Sequence, residues 1–338
     1  MRKADRRNRW IILGFAVTLL GGIVTSFALG RYPISVRELG GILLSRIFPV
    51  EPFWTPRMET VLLNIRLPRI LLACLVGCSL SAAGASFQGI FQNPMASPDI
   101  LGASSGAAFG AALAILLDLG TRMVTAFAFL CSIVTVGLVW MIGQRAKGKQ
   151  VLNLVLSGMV ISSLFTAGTS FIKLVADPSD QLPAITYWLM GSLAGASLRD
   201  IAFAFPVMLA GYISLLLLRW RINLLTMGDE EAQTMGVNTR LVRFVVIVSA
   251  TLITATAVSV SGTIGWVGLV IPHVSRKLVG NNYRHLMPLS MLLGALFLLL
   301  VDTVARNLLT TEIPLGILTA FIGAPFFLYL LLRGGDGS

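Results

Sequence analysis

Residues 241–279, LVRFVVIVSATLITATAVSVSGTIGWVGLVIPHVSRKLV, carry the decision about the fold. Residues 241–261 are one apolar run of about 20 residues, which as a helix crosses the ~30 Å hydrocarbon layer of a bilayer. Residues 264–279 follow at once, shorter and interrupted by Gly268 and Pro272. A broken helix survives in a membrane only where protein or an aqueous cavity satisfies the backbone groups it frees. The pair therefore predicts a bundle with neighbours packed around the broken segment.

Further apolar runs lie at 10–30, 62–84, 100–118, 122–143, 151–175, 199–219, 286–304 and 313–332. With 241–261 they make nine clear spans, and 264–279 is the tenth. The reading is an all-α, polytopic membrane protein of about ten transmembrane helices, one domain over 1–338, with 220–242 as an inner loop. Composition agrees: 56% of residues are hydrophobic and 12% charged, against about 25% charged in a soluble domain. The net charge of +11 does not point to nucleic acid, because the basic residues sit in short loops rather than on one face.

Ten spans put both ends on one side. The N-terminal tail, the loop holding Arg145, Lys147 and Lys149, the segments 219–243 and 276–284, and Arg333 share that side and hold most of the 26 basic residues. The positive-inside rule makes it cytoplasmic. The basic tail and first apolar run imitate a secretory signal, but the run is long enough to span and is taken as a retained helix. Cys74 and Cys78, four apart on one span, and Cys131 on another are expected to be buried thiols rather than a disulfide framework.

Spans two to five and seven to ten form two four-helix sets that start from opposite sides, each with a short or Gly-rich second helix. This is a faint inverted-repeat topology with no repeat in residue identity. Gly102, Gly106 and Gly110 recur every fourth position and give the third span a close-packing face. In the long outer loop 31–60, an amphipathic piece at 35–48 is expected along the interface.

The chemistry is sparse. Gly143–Gln150 imitates a phosphate-binding loop, but Gln150 replaces the magnesium-binding hydroxyl and the string follows a membrane helix rather than a strand. No carboxylate is expected buried mid-span, which argues against an ion-coupled secondary transporter. His273 and His285, the only histidines, have no expected carboxylate partner, which argues against a membrane-embedded hydrolase. The chain is therefore read as no enzyme, and energy for transport would arrive through a partner.

Two features suggest where partners act. Arg66, Arg69 and Arg306 fall at outer helix ends, where the rule disfavours them. They snorkel to headgroups, pair locally as Asp302 with Arg306 at i,i+4, or form a basic rim for acidic groups of an outside partner; charge alone leaves these open. On the inner side, Thr226–Val237 reads as a short isolated helix, capped by Thr226, with Asp229, Glu230 and Glu231 at its positive end and Gly236 ending it. With Met235 and Val237 exposed it would be a protein-binding knob; otherwise it is an ordinary capped loop.

Seven strings, in order along nearly the whole chain, resemble the permease family of ABC importers for ferric siderophores, haem and cobalamin. They are Arg66–Arg69 (RLPR), Gln92–Gly102 (QNPMASPDILG), Tyr187–Ser192 (YWLMGS), Asp229–Val237, Gly265–His273 (GWVGLVIPH), Asp302–Arg306 (DTVAR) and Glu312–Gly316 (EIPLG). The resemblance implies a homodimer of ten-helix subunits in a bacterial cytoplasmic membrane, with the pathway at the dimer axis. Two cytoplasmic ATPase subunits would carry ATP and magnesium, while this chain binds no cofactor and no metal. An extracytoplasmic substrate-binding protein would dock its glutamates on Arg66, Arg69 and Arg306. Asp229, Glu230, Glu231, Ala232, Met235, Gly236 and Val237 match the helix that couples to the ATPase. Asn93, Pro94 and Met95 match the cytoplasmic gate, and Val151, Leu152 and Asn153 stand at a second gate position without the small hydroxyl residues of some members. Ser162 and Thr166 are candidates for the pathway wall. The expected cargo is a ferric siderophore, with haem or a corrinoid as alternatives.

Overall fold

The computed structural model describes residues 2–333 apart from Arg31, Ile47, Val50 and Lys149, so the Lys149 reading lies outside the described residues. Its helices are α1 (Arg2–Ala28), α2 (Val36–Leu44), α3 (Pro56–Thr60), α4 (Leu67–Ile90), α5 (Ala103–Leu116), α6 (Thr121–Arg145), α7 (Gln150–Val175) and α8 (Gln181–Leu189). They continue as α9 (Leu198–Leu225), α10 (Asp229–Thr234), α11 (Thr239–Ser261), α12 (Val267–Val279), α13 (Tyr283–Asn307) and α14 (Leu315–Arg333). Residues 61–66 form a π-helical turn that fuses α3 to α4 in one long element.

Seven of these elements are long and apolar enough to cross a membrane: α1, α3–α4, α6, α7, α9, α11 and α13. The shorter α5, α12 and α14 complete the ten expected spans. The second span starts at Pro56 rather than at residue 62, because Thr55 caps α3 and the π-turn carries the helix through. Ser35 and Glu38 form a reciprocal capping box that fixes α2 in the loop between the first two spans.

The long element α3–α4 is the centre, with 78% of its apolar window buried, against 22% for α7 and 11% for α1. Its small residues make this possible. A Cβ on Gly77 would stand 2.1 Å from the carbonyl oxygen of Gly294 on α13, and one on Gly84 would stand 1.8 Å from that of Gly268 on α12. The expected face of α5 packs in the same way, with Gly106 and Gly110 against the backbone of α6 at Cys131 and Phe127.

The broken span differs from expectation, since Gly268 and Pro272 do not interrupt α12 and the irregular backbone lies before it. Residues 262–266 are not helical, and α12 begins at Val267 behind Trp266, whose φ is +70°. Hydrogen bonds tie the junction to residues 189–192 and to the start of α14. Ser192 donates to the Ser261 carbonyl at 2.8 Å, Leu315 to that of Gly191 at 2.8 Å, and the Thr263 hydroxyl to that of Leu189. The third span also begins late, at Ala103, after a 3₁₀ turn at Pro98–Leu101 and Gly102 at φ +78°. The second helices of the two four-helix sets, α5 and α12, thus share a short length and a left-handed residue at their start.

Candidate functional site

Two groups of polar residues stand at opposite ends of the bundle. At the end where α4 begins, Arg69 is held between two carboxylates from distant parts of the chain. Its Nε donates to Asp302 at 2.9 and 3.2 Å, and its Nη1 to Glu312 at 2.8 and 2.9 Å. Arg306 lies 3.6 Å from the same Asp302, one turn along α13, and donates to the Ser26 carbonyl at 3.0 Å. Arg66 donates to the carbonyls of Phe27 and Tyr32. All three arginines are buried within the chain.

This cluster extends the expected i,i+4 pair of Asp302 and Arg306. Asp302 is fully buried and Glu312 is the more open partner, with 29% of its side chain exposed. Arg66, Arg69, Arg306 and Glu312 also line a cavity with Tyr32 and Arg57. Four guanidiniums and one carboxylate line it, with Asp302 buried behind Arg69, and the excess positive charge suits an incoming carboxylate. Asp302 stands near the end of α13, where the sequence put it, and its full burial is what the structure adds. Neither link of Arg69 was predicted, since its partners lie 233 and 243 residues away.

The other end carries α10. Its N-cap is Gly228, with φ +135°, and not Thr226, whose hydroxyl instead donates to the Asn223 carbonyl at the end of α9. Asp229 pairs with Arg243 of α11 at 2.8 and 3.2 Å, while Glu230 and Glu231 remain exposed. Gly236 takes the left-handed φ of +78° that ends the helix, and Val237 donates to the Ala232 carbonyl at 3.0 Å. Val237 and Ala232 are buried, so the exposure expected of Val237 is corrected: they anchor the segment, and Met227 and Met235 are its exposed apolar side chains.

The Asn93–Met95 segment lies next to this element. Arg243 also reaches the Ile90 carbonyl at 3.5 Å, and the Gln92 side chain donates to the Leu225 carbonyl at 2.7 Å. Asn93 accepts from the Met95 backbone at 2.9 Å, and Asn93, Pro94 and Met95 are exposed. At the start of α7, Asn153 donates to the Ala146 carbonyl at 2.9 Å, with Val151 half-buried and Leu152 exposed. No hydrogen bond joins 93–95 to 151–153 among the described residues. Along α7, Ser163, Thr169 and Ser170 donate to their own helix, Thr166 is exposed, and Ser162 sits beside Gly102.

His285 does have a carboxylate partner: its Nε2 lies 2.7 Å from Asp5, whose other contact is Arg9 at 3.1 Å. This pair ties the start of α1 to the start of α13. The cysteines are free thiols, each half-buried where burial was expected. No group of His, Cys, Asp and Glu suited to a metal ion occurs among the described residues.

The chain matches known proteins over nearly its full length. The model of the FecCD transport family covers residues 17–333. A molybdate import system permease protein of Haemophilus influenzae is 42% identical over 96% of this chain and 97% of that one. A probable iron chelatin transport system permease protein of Helicobacter pylori is 45% identical over 82% of this chain and 83% of its own. The solved structure of a transporter assigned to the metal-chelate ABC type, in an inward-facing conformation, superposes with a TM-score of 0.86 at 40% identity, over 96% and 99% of the two chains.

Proposed function

The chain belongs to the FecCD transport family, as a multi-pass permease subunit of an ABC importer, and from that premise we propose that it passes a ferric siderophore inward by alternating access at a homodimer axis. The observation that carries the energetic half is α10, a capped acidic helix of six residues at the end of the bundle, with Met227 and Met235 exposed. It buries few of its own side chains and offers the rest to a partner. ATP hydrolysis then belongs to two cytoplasmic subunits that receive Asp229–Val237.

Docking belongs to the opposite end. A carboxylate of the binding protein meets Arg66, Arg69 and Arg306, and at Arg69 it takes the place of Glu312, the half-exposed partner, while Asp302 stays buried. Between the two ends, Asn93–Met95 and Val151–Asn153 gate the inner mouth, and Ser162 and Thr166 line the passage. The chain does no chemistry on its cargo. The iron-chelatin relative and the metal-chelate structure favour an iron chelate. Molybdate is a second reading, favoured by the relative that matches over 97% of its length.

The test is uptake into vesicles holding the permease, its ATPase and its binding protein, offered ferric siderophore, haem, cobalamin or molybdate in turn. ATP-dependent accumulation of the ferric siderophore alone is expected, and accumulation of another cargo instead overturns the iron assignment. Replacing Arg66 and Arg69 by Glu should abolish uptake and weaken the complex with the binding protein. Unchanged uptake removes the docking role.

A further inference from the structure

One pocket lies outside both ends of the transport machinery, where α9 meets the start of α13. It is lined by Arg219, Trp220, Asn223, Asn282 and Arg284. The lining presents donors and no carboxylate. The Asn223 side-chain oxygen accepts from the Tyr283 backbone at 3.3 Å, and that of Asn282 caps α13 by accepting from Arg284 at 3.0 Å. Each amide is thereby left with its NH2 group to offer. Arg219 is steadied by a 3.5 Å bond to the Arg284 carbonyl. Neither arginine forms an ion pair with a carboxylate among the described residues. Asp5, the acid of this region, is taken by His285 and Arg9.

What reaches this pocket is indicated by the helix below it. Phe205, Leu209, Ile213, Leu217 and Trp220 are exposed on α9 and recur every third or fourth residue, so they form one bare stripe along a membrane-spanning helix. Such a stripe faces acyl chains, and its Trp belongs at the headgroup level. The donors stand at the end of that stripe, on the side of the basic N-terminal tail. We infer that this pocket binds the phosphate headgroup of an anionic phospholipid of the inner leaflet, its acyl chains lying along α9. Two arginines near the membrane surface attract such a lipid, and the two amides and the indole give directional donors for its phosphate. The inference rests on the membrane reading, its orientation and the lipid-facing side of α9, and not on the cargo.

The test uses the purified, delipidated full-length permease in neutral detergent, with bound lipid counted by native mass spectrometry after addition of phosphatidylglycerol or phosphatidylcholine. Phosphatidylglycerol should be retained about tenfold better. Arg219→Gln with Arg284→Gln should abolish that preference, while the double Lys variant, which keeps the charge, should retain part of it and show that the site tolerates substitution. Equal retention of the two lipids, or an unchanged preference in the double Gln variant, overturns the proposal. So does displacement by millimolar inorganic phosphate, which would mark a free-anion site, or loss of the lipid when the ATPase binds, which would mark a protein-contact face.

Discussion

Asp302 and Glu312 hold one guanidinium from different depths, and the difference sets what each does. Asp302 is fully buried between Arg69 and Arg306, so Asp302→Asn leaves two buried cations short of their counter-charge. Loss of one partner from a buried pair costs about 3–5 kcal/mol. The variant should therefore lose thermal stability in detergent, and an unchanged melting temperature would show that the cluster is solvated. Glu312 is partly open, and its removal costs less, since a half-exposed pair contributes about 1 kcal/mol or less. Glu312→Gln should leave folding intact and tighten the binding protein severalfold in a titration, because an incoming carboxylate no longer competes. Weaker binding would mean that Glu312 itself meets the partner. Of this site, the arginines and the local Asp302–Arg306 pair were legible in the sequence, because helical periodicity brings i and i+4 together. The bonds to Arg69 were not, because periodicity says nothing about which distant helix ends meet.

At the scale of elements, α10 rests on an asymmetric ion pair. The Arg243 side chain is 3% exposed, and that of Asp229 is 45% exposed. Asp229→Ala strands a buried cation with only a long bond to the Ile90 carbonyl, while Arg243→Met leaves a carboxylate that water can reach. The first variant should destabilise the permease more than the second, as read by melting of the purified protein, and the reverse order would refute the burial argument. Both should lower transport-linked ATP hydrolysis in the reconstituted complex, since either loosens the element proposed to receive the ATPase. The sequence announced this helix through its acids and through Gly236, whose left-handed turn is observed. It misplaced the cap, because Thr226 looked free to reach forward but its hydroxyl is used at the end of α9. The sequence placed the break at Gly268 and Pro272, yet both lie inside α12 and the irregular stretch precedes it at 262–266, where the left-handed Trp266 gave no signal. A bulky residue adopts that conformation only when neighbours hold it, and here Gly323 and Phe327 of α14 pack against the indole.

The whole molecule divides into a packed half and a bare one. The long element α3–α4 lies in a sheath formed by α9, α11, α12 and α13, where glycines let backbones touch. By contrast α7 leaves Val160 and Leu164 about two-thirds exposed, and exposed hydroxyls accompany them. Ser163 and Ser170 return their hydroxyls to carbonyls of α7, so Thr166 is the exposed hydroxyl that favours an aqueous passage between two copies. If α7 lines the dimer axis, single cysteines at Val160 and Leu164 face their own copies across it. The native Cys74, Cys78 and Cys131 lie on α4 and α6 and can be replaced first. Leu217→Cys is the control, equally bare but on the stripe of α9 assigned to lipid. Oxidation should then give covalent dimers from an α7 position and none from the control, and the cross-linked complex should stop importing until it is reduced. Dimers from Leu217 but not from α7 would move the axis to α9, and with it both the passage and the lipid-facing side.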